Sequence, residues 1–149
     1  MFRQIVALVL VVLVARAHGL TTLQCSDNRP GPQEVIIPGC SVLPCTVPNQ
    51  SNFNFSVRFA PTFSTNTLTV DATATLHGLF LPYELPAHLR NGCNHIDTSC
   101  PLASGQTVTL SAAAPVEAPL TGVTVRMEFE ITGDGGQVAV CFAATVTLT

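Results

Sequence analysis

Apolar and polar residues alternate with a period of two along much of the chain, and this period predicts β-strands. The clearest stretches cover residues 123–132 and 138–148. The sequence GDGG at 133–136 separates them and has the composition of a hairpin turn, so we expect these two strands to pair. Further strand-like stretches lie at residues 34–37, 53–59, 68–76 and 106–114.

Helical periodicity is missing from these stretches, because no window outside the first twenty residues repeats its apolar positions every 3.6 residues. Pro and Gly separate the stretches, and Thr and Val are abundant within them. About six or seven short strands at this spacing are typical of an all-β fold, and we predict an immunoglobulin-like antiparallel β-sandwich. No linker or internal repeat interrupts residues 18–149, so one domain is expected there.

The first residues have the composition of a secretory signal peptide. Arg3 supplies a positive charge, an apolar run of about eleven residues follows at 5–15, and ARA at 15–17 fits the pattern of a cleavage site. The run is shorter than the roughly 20 residues of a transmembrane helix. We therefore predict a signal peptide at residues 1–17, with cleavage as late as residue 19, and a secreted protein that is extracellular or delivered to the lysosome.

The balance of charge argues against several classes of partner. All six cationic residues are Arg, there is no Lys, and nine residues are acidic. Loss of Arg3 and Arg16 with the signal peptide takes the formal net charge from -3 to about -5. Nucleic acids and anionic membranes both require clustered basic residues, so neither is expected as a main partner.

Six cysteines follow the signal peptide, and an even number in an exported chain predicts disulfides. Six cysteines allow 15 connectivities. Short loops favour two local bridges and leave one long-range bridge, which gives Cys40–Cys45, Cys93–Cys100 and Cys25–Cys141. A zinc site is not expected, because the local spacings differ from C-x₂-C.

Motifs of catalysis and cofactor binding are missing from the sequence. It contains no HExxH, no GxSxG, no P-loop and no GxGxxG. Glu128 and Glu130 share the outward face of a predicted strand, and we interpret them as solvated surface residues. The chain is therefore not expected to be an enzyme or to hold a metal or cofactor.

Two N-x-[ST] sequons occur, at Asn49-Gln50-Ser51 and Asn54-Phe55-Ser56. Asn54 falls on the outward face of its predicted strand, where a glycan would project into solvent. Both Asn49 and Asn54 are candidate glycosylation sites.

Residues 79–86, LFLPYELP, are apolar where a connection between strands should be polar. One interpretation is an edge strand packed against the core, since Pro82 and Pro86 are tolerated at a sheet edge. The other is an apolar lip around a cavity between the sheets. A cavity is plausible from composition, since large inward residues face several small ones, namely Ala72, Ala74, Gly78, Ala112, Ala114 and Ala144.

Four motifs resemble the ML family of secreted lipid-recognition domains. They are PGC…PC at 38–45, HG at 77–78, NGC…CPL..GQ at 91–106 and GDGG…VAVCFA at 133–143. Within the family, the chain is most similar to the branch that contains the second Niemann–Pick type C protein, a lysosomal sterol carrier, and the mite group-two allergens.

The resemblance implies two sheets splayed around an apolar pocket, and it supports the same three disulfides. It places residues 79–86 at the pocket mouth, with Tyr83 matching a family aromatic. Two positions depart from the family pattern, because Glu84 replaces an apolar residue or Pro and Phe142 stands where Trp is usual. The candidate lipid-binding residues are Phe55, Val57, Phe59, Leu76, Leu79, Phe80, Leu81, Tyr83, Leu85, Val125, Met127, Phe129 and Phe142.

The function implied is the binding and transfer of a sterol or similar apolar lipid, by a monomer that delivers its cargo to an acceptor protein or receptor. Two alternatives use the same pocket. One is a recognition module that senses lipids in innate immunity, and the other is a carrier of a fatty acid, hormone or semiochemical. Recognition of a phosphorylated lipid requires basic residues at the pocket mouth. Basic residues are scarce in this chain, which argues against the sensing of phosphorylated lipids.

Overall fold

In the computed structural model, which describes residues 19–149, short connections join eight strands, one short α-helix and two 3₁₀ helices at Gly92–His95 and Asp134–Gly136. The predicted signal peptide at residues 1–17 lies outside the described residues. The elements are β1 (Glu34–Ile36), β2 (Cys45–Val47), β3 (Asn52–Phe59), β4 (Thr69–Leu76), β5 (Leu79–Leu81), α1 (Ala87–Arg90), β6 (Val108–Pro115), β7 (Thr124–Thr132) and β8 (Val138–Leu148). None of the helices within residues 19–149 has the length and apolar character needed to cross a membrane.

The strands form two sheets, which confirms the predicted immunoglobulin-like β-sandwich. One sheet has three strands in the order β1-β3-β6, and the other has five in the order β2-β8-β7-β4-β5. The named strands pair antiparallel with one exception, because β2 runs parallel to β8. A purely antiparallel sandwich was expected, and the difference arises because β2 follows a strand of the other sheet rather than a hairpin partner.

Strand β8 is buried on both faces through its middle, residues 139–144, although its alternating sequence predicts one buried face. The segment before β1 covers the outer face. Leu23 and Ala143 exchange two backbone hydrogen bonds of 2.9 Å, and Cys25 is bonded to Cys141. The outward residues of β8 are small enough to admit this second layer.

The three disulfides join Cys25 to Cys141, Cys40 to Cys45 and Cys93 to Cys100. These are the pairs expected from the loop lengths and implied by the resemblance. The first closes a separation of 116 residues, and the other two close separations of 5 and 7. The long-range bridge fixes the covering segment to the sheet, whereas the local bridges shape individual loops.

Four phenylalanines fill the middle of the space between the sheets. Phe53 and Phe55 come from β3, Phe129 from β7 and Phe142 from β8. The ring of Phe129 lies 4.8 Å from Phe55, 5.2 Å from Phe142 and 5.9 Å from Phe53, measured between centroids. Aromatic pairs at these distances stabilise the fold beyond their buried area. Two of the four, Phe53 and Phe129, also line the cavity described below.

Candidate functional site

An apolar cavity of about 110 Å³ lies between the two sheets. The three-stranded sheet contributes Phe53 and Ala114. The wall is completed by the end of β5 with the connection after it, residues 81–83, and by the connection between β6 and β7, residues 116–123. We call the second connection the rim segment. The five-stranded sheet contributes Ala74, Val125, Met127, Phe129, Val146 and Leu148.

The cavity exists because alanines occupy inward positions beside large residues. Ala114 pairs with Phe53 across the three-stranded sheet, and Ala74 pairs with Met127 across the five-stranded sheet. Both alanines are buried, with 2% and 5% of their surface exposed. A methyl group cannot reach the opposite sheet, since sheets pack about 10 Å apart, so space remains between the layers.

Among the lining residues from the described part of the chain, only Tyr83 and Glu117 carry a polar group in the side chain. Tyr83 is half-buried, and burial raises the pKa of its hydroxyl above the ordinary value. Glu117 is exposed to solvent. The residues around the cavity therefore offer no paired acid and base and no activated nucleophile. What they offer chemically is a dry surface for an apolar molecule.

Hydrogen bonds hold both ends of the rim segment. The backbone N–H of Val116 donates to Ser51 at 2.8 Å, and the side-chain amide of Asn49 bonds to Ala118. At the other end, the N–H of Gly122 donates to the carbonyl of Leu148 at 2.7 Å. Between these anchors, Leu120 lines the cavity while 48% of its surface is exposed. The rim segment is thus the part of the wall that faces both ligand space and solvent.

The opposite side of the mouth is β5, the edge strand of the five-stranded sheet. Strands β4 and β5 are joined by a two-residue turn, in which His77 and Gly78 have φ of 51° and 78°. Positive φ at both central residues is the geometry of the hairpin turn that suits twisted strands, which explains the HG motif. Leu79 and Phe80 are 72% and 79% exposed, and Leu81 lines the cavity.

Both interpretations of residues 79–86 therefore describe part of the segment. Its first residues form an edge strand, as one predicted, but Leu79 and Phe80 are exposed and do not pack against the core. Leu81, Pro82 and Tyr83 lie at the cavity, as the other predicted. Leu85, by contrast, is buried in the core.

The structure brings together some of the candidate lipid-binding residues and separates the others. Five line the cavity: Leu81, Tyr83, Val125, Met127 and Phe129. The other eight do not, since Phe55, Val57, Phe59, Leu85 and Phe142 are buried in the core, Leu76 is half-buried, and Leu79 and Phe80 are exposed. Alternation identifies which side chains of a strand point inward, but it does not identify where along the strand the cavity begins.

Several lining residues were not among the candidates. Phe53 shares its face of β3 with Phe55, and Val146 and Leu148 share theirs with Phe142. The alternating pattern therefore shows that these side chains point inward, but it does not show which of them lie at the cavity. The rim segment also had a signal. Its sequence VEAPL at 116–120 is mostly apolar in a connection, as residues 79–86 are, and the same argument applies to both.

Apart from Glu117, the charged side chains of the described residues lie away from the cavity wall, and most are paired. Within residues 19–149 all four arginines contact carboxylates, and none lines the cavity. Arg29 bonds to both Glu128 and Glu130, so these glutamates are not the fully solvated pair that the strand pattern predicted. Arg90 pairs with Asp71 at 3.0 Å.

A second cavity of about 540 Å³ lies beneath the segment before β1, on the outside of the sandwich. Asn28, Arg29, Gln33 and Glu34 are among its lining residues, so it is too polar to hold a lipid. At its edge, ligand atoms of Cys25, Cys141 and Glu128 lie within 4.8 Å of one another. The two sulfurs are bonded to each other, so they are not available as thiolate ligands.

Comparison with known proteins agrees with this architecture. The family model described as ML domain matches residues 19–148. A curated relative, NPC intracellular cholesterol transporter 2 from Bos taurus, is 26% identical over 112 residues, which cover 74% of this chain and 72% of the relative. A crystal structure of a Niemann-Pick type C2 protein from Japanese carpenter ant has a TM-score of 0.74 at 16% identity, covering 87% of this chain and 100% of that one.

Proposed function

Because the chain belongs to the ML family of lipid-binding domains, we propose that it binds one uncharged, sterol-like lipid between its sheets and carries it without chemical change. The observation that carries this proposal is the apolar cavity, walled by both sheets and ending in two apolar connections. The bovine relative is named as a cholesterol transporter, which supports a sterol as cargo. Three disulfides support a secreted or lumenal location, because they persist in oxidising compartments.

The cavity must expand to hold such a ligand. Its volume of about 110 Å³ is well below the roughly 300 Å³ at which ligand pockets usually begin. Expansion is favourable when the ligand buries enough surface, since about 500 Å² of apolar area corresponds to roughly 12 kcal/mol. Association costs about 4–15 kcal/mol, so the fit of the ligand decides the affinity. The rim segment and residues 81–83 are the walls that would move.

The exposed leucine and phenylalanine of β5 suit delivery of the cargo. Leu79 and Phe80 lie beside Leu81, which lines the cavity. An apolar patch at the mouth is favourable only when another surface covers it. In the proposed cycle an acceptor protein covers these residues while the lipid leaves.

Within residues 19–149 no unpaired arginine lies beside the cavity, which favours an uncharged cargo over a fatty acid or a phosphorylated lipid. The arginines of the described residues are already paired, and the one charged residue in the lining is the acidic Glu117. A carboxylate or phosphate head would lose hydration at the mouth without gaining a counterion. This charge distribution also disfavours the sensing of anionic microbial lipids.

Substitution of neighbouring alanines tests the proposal. Ala114→Phe fills the cavity, whereas Ala113→Phe places the same side chain on the exposed face of β6. We expect the wild-type protein and A113F to bind one sterol per chain in native mass spectrometry, and A114F to bind at least about tenfold more weakly. Circular dichroism checks that A114F folds, and Ala74→Phe fills the cavity from the other sheet.

The proposal would be overturned if the disulfide-intact protein neither carries nor takes up a sterol. Equal sterol affinity of A113F and folded A114F would instead show that lipid binds outside the cavity. A stoichiometric fatty acid extracted from the purified protein would contradict the preference for an uncharged cargo.

A further inference from the structure

Asn49 connects the turn before β3 to the rim segment through both polar atoms of its side chain. Its Oδ1 accepts a hydrogen bond from the N–H of Ala118, and its Nδ2 donates to the carbonyl of Ala118, each at 2.9 Å. The backbone adds two bonds beside them, from Gln50 to Val116 at 2.7 Å and from Val116 to Ser51 at 2.8 Å. Val116 and Ala118 both line the cavity, so these bonds hold one of its walls in place.

The same amide is the acceptor group of the first sequon, Asn49-Gln50-Ser51. N-glycosylation replaces one of the two hydrogens on Nδ2 with the sugar. In the planar trans amide that results, the sugar lies on the same side as Oδ1. Ala118 occupies that side, because both of its hydrogen bonds are made with this one amide. A glycan on Asn49 and the Asn49–Ala118 pair therefore exclude one another.

The second sequon is free of this conflict. Asn54 is exposed on the outer face of β3, away from the cavity. The residue opposite it on β6 is Ala113, which is also exposed and whose methyl group leaves room for a sugar. A glycan on Asn54 would leave both sheets and the rim segment unchanged.

We propose that Asn49 holds the rim segment closed over the cavity, and that Asn54, not Asn49, is the N-glycosylation site of the folded protein. The consequence for binding rests on the proposed function. A lipid larger than the cavity enters when the rim segment moves outward, so the Asn49–Ala118 bonds limit the fraction of molecules that are open. Loss of these bonds raises that fraction and with it the rate of association. We expect an increase of about tenfold from the loss of this pair of hydrogen bonds.

Three variants made in a glycosylating host separate the two roles of Asn49. Asn49→Ala removes the sequon and the bonds to Ala118, whereas Ser51→Ala removes the same sequon and keeps Asn49. Asn54→Ala removes the second sequon and is the control for glycan loss. Glycopeptide mass spectrometry should find sugar on Asn54 and none on Asn49. Hydrogen exchange of the Ala118 amide should be at least about fivefold faster in N49A and unchanged in S51A and N54A.

Stopped-flow mixing with a fluorescent sterol measures the rate of association. This rate should not rise if Asn49 only stabilises the fold. N49A should associate about tenfold faster than S51A. Equal rates for N49A and S51A would overturn the role of Asn49 in closure. A glycan on Asn49 in molecules whose Ala118 amide is still protected would overturn the exclusion. If no variant binds sterol, the proposed function fails, while the exchange and glycopeptide results still decide the role of Asn49.

Discussion

The hydroxyl of Tyr83 donates a hydrogen bond to the carbonyl of Pro115, 3.4 Å away, at the mouth of the cavity. Tyr83 follows β5 of the five-stranded sheet, and Pro115 ends β6 of the three-stranded sheet. This contact therefore joins the two sheets where the proposed ligand would enter. Its length makes it weak, so it can break without a large cost when the sheets separate.

Tyr83 should act as an intrinsic reporter of the cavity, because it is the chain's one tyrosine and there is no tryptophan. Burial raises its pKa above the ordinary value of about 10, and a bound sterol should raise the pKa further by excluding water. Titration of phenolate absorbance with and without sterol measures both shifts.

The same shift links Tyr83 to stability at high pH. Because its folded pKa is raised, its contribution to stability is present below about pH 10 and is lost as the pH rises through the folded value. Tyr83→Phe should abolish the absorbance change, and the unfolded chain should titrate near 10. A folded midpoint near 10 that does not respond to sterol would contradict this picture.

Asp134 should stabilise the β7–β8 turn in a pH-dependent manner. Its carboxylate accepts hydrogen bonds from the Thr67 hydroxyl at 2.6 Å and the Asn66 backbone N–H at 2.9 Å. These bonds, that of Thr67 most strongly, lower the pKa of Asp134 below its ordinary value of 3.8. The stabilisation is therefore present above pH 3.8 and is lost as the pH falls through the folded pKa.

Asp134→Asn should consequently have a lower thermal midpoint than the wild type at neutral pH, and the difference should shrink as the pH falls below 3.8. Asp71→Asn is the control, since that carboxylate pairs with Arg90 at an exposed site and should change the midpoint little. A constant difference between D134N and wild type at every pH would exclude the ionised carboxylate as its cause.

Substitution of two phenylalanines should distinguish a residue that serves lipid delivery from one that stabilises the fold. Phe80 is 79% exposed, so Phe80→Ala should change the free energy of unfolding by about 0.5 kcal/mol or less. Phe129 is 2% exposed among three other rings, and Phe129→Ala should cost about 3–5 kcal/mol. Urea unfolding measures both values.

F80A should still bind sterol while it delivers sterol to acceptors more slowly, because the apolar patch at the mouth is reduced. A transfer assay with the wild type as reference checks this. Unchanged transfer by F80A would exclude the exposed face of β5 as the delivery surface.

The long-range disulfide should contribute most to stability. In the chain-entropy model, closing 116 residues corresponds to about 5 kcal/mol, and closing 5 residues to about 2 kcal/mol. Replacing Cys25 and Cys141 by Ser should therefore lower the free energy of unfolding by about twice as much as replacing Cys40 and Cys45. Equal losses in urea unfolding would show that native contacts of the bridges, rather than loop closure, determine their effect.

Much of the fold follows from local patterns in the sequence. The alternation in β7 and β8 predicts the hairpin, and the HG and GDGG sequences supply residues that tolerate positive φ. The cysteine spacings predict the bridges. These inferences succeed because pairing of neighbouring strands, tight turns and short disulfide loops depend on residues close together in the chain.

The position of the cavity was decided by the tertiary structure. Phe53 and Phe59 lie on the same face of β3, yet Phe53 lines the cavity and Phe59 is buried in the core. The contact between Asn49 and Ala118, 69 residues apart, likewise has no counterpart in local sequence. Alternation determines which face of a strand points inward, because it is a property of one strand. Whether an inward side chain meets another side chain or a cavity depends on the volumes across both sheets, and only their packing brings those residues together.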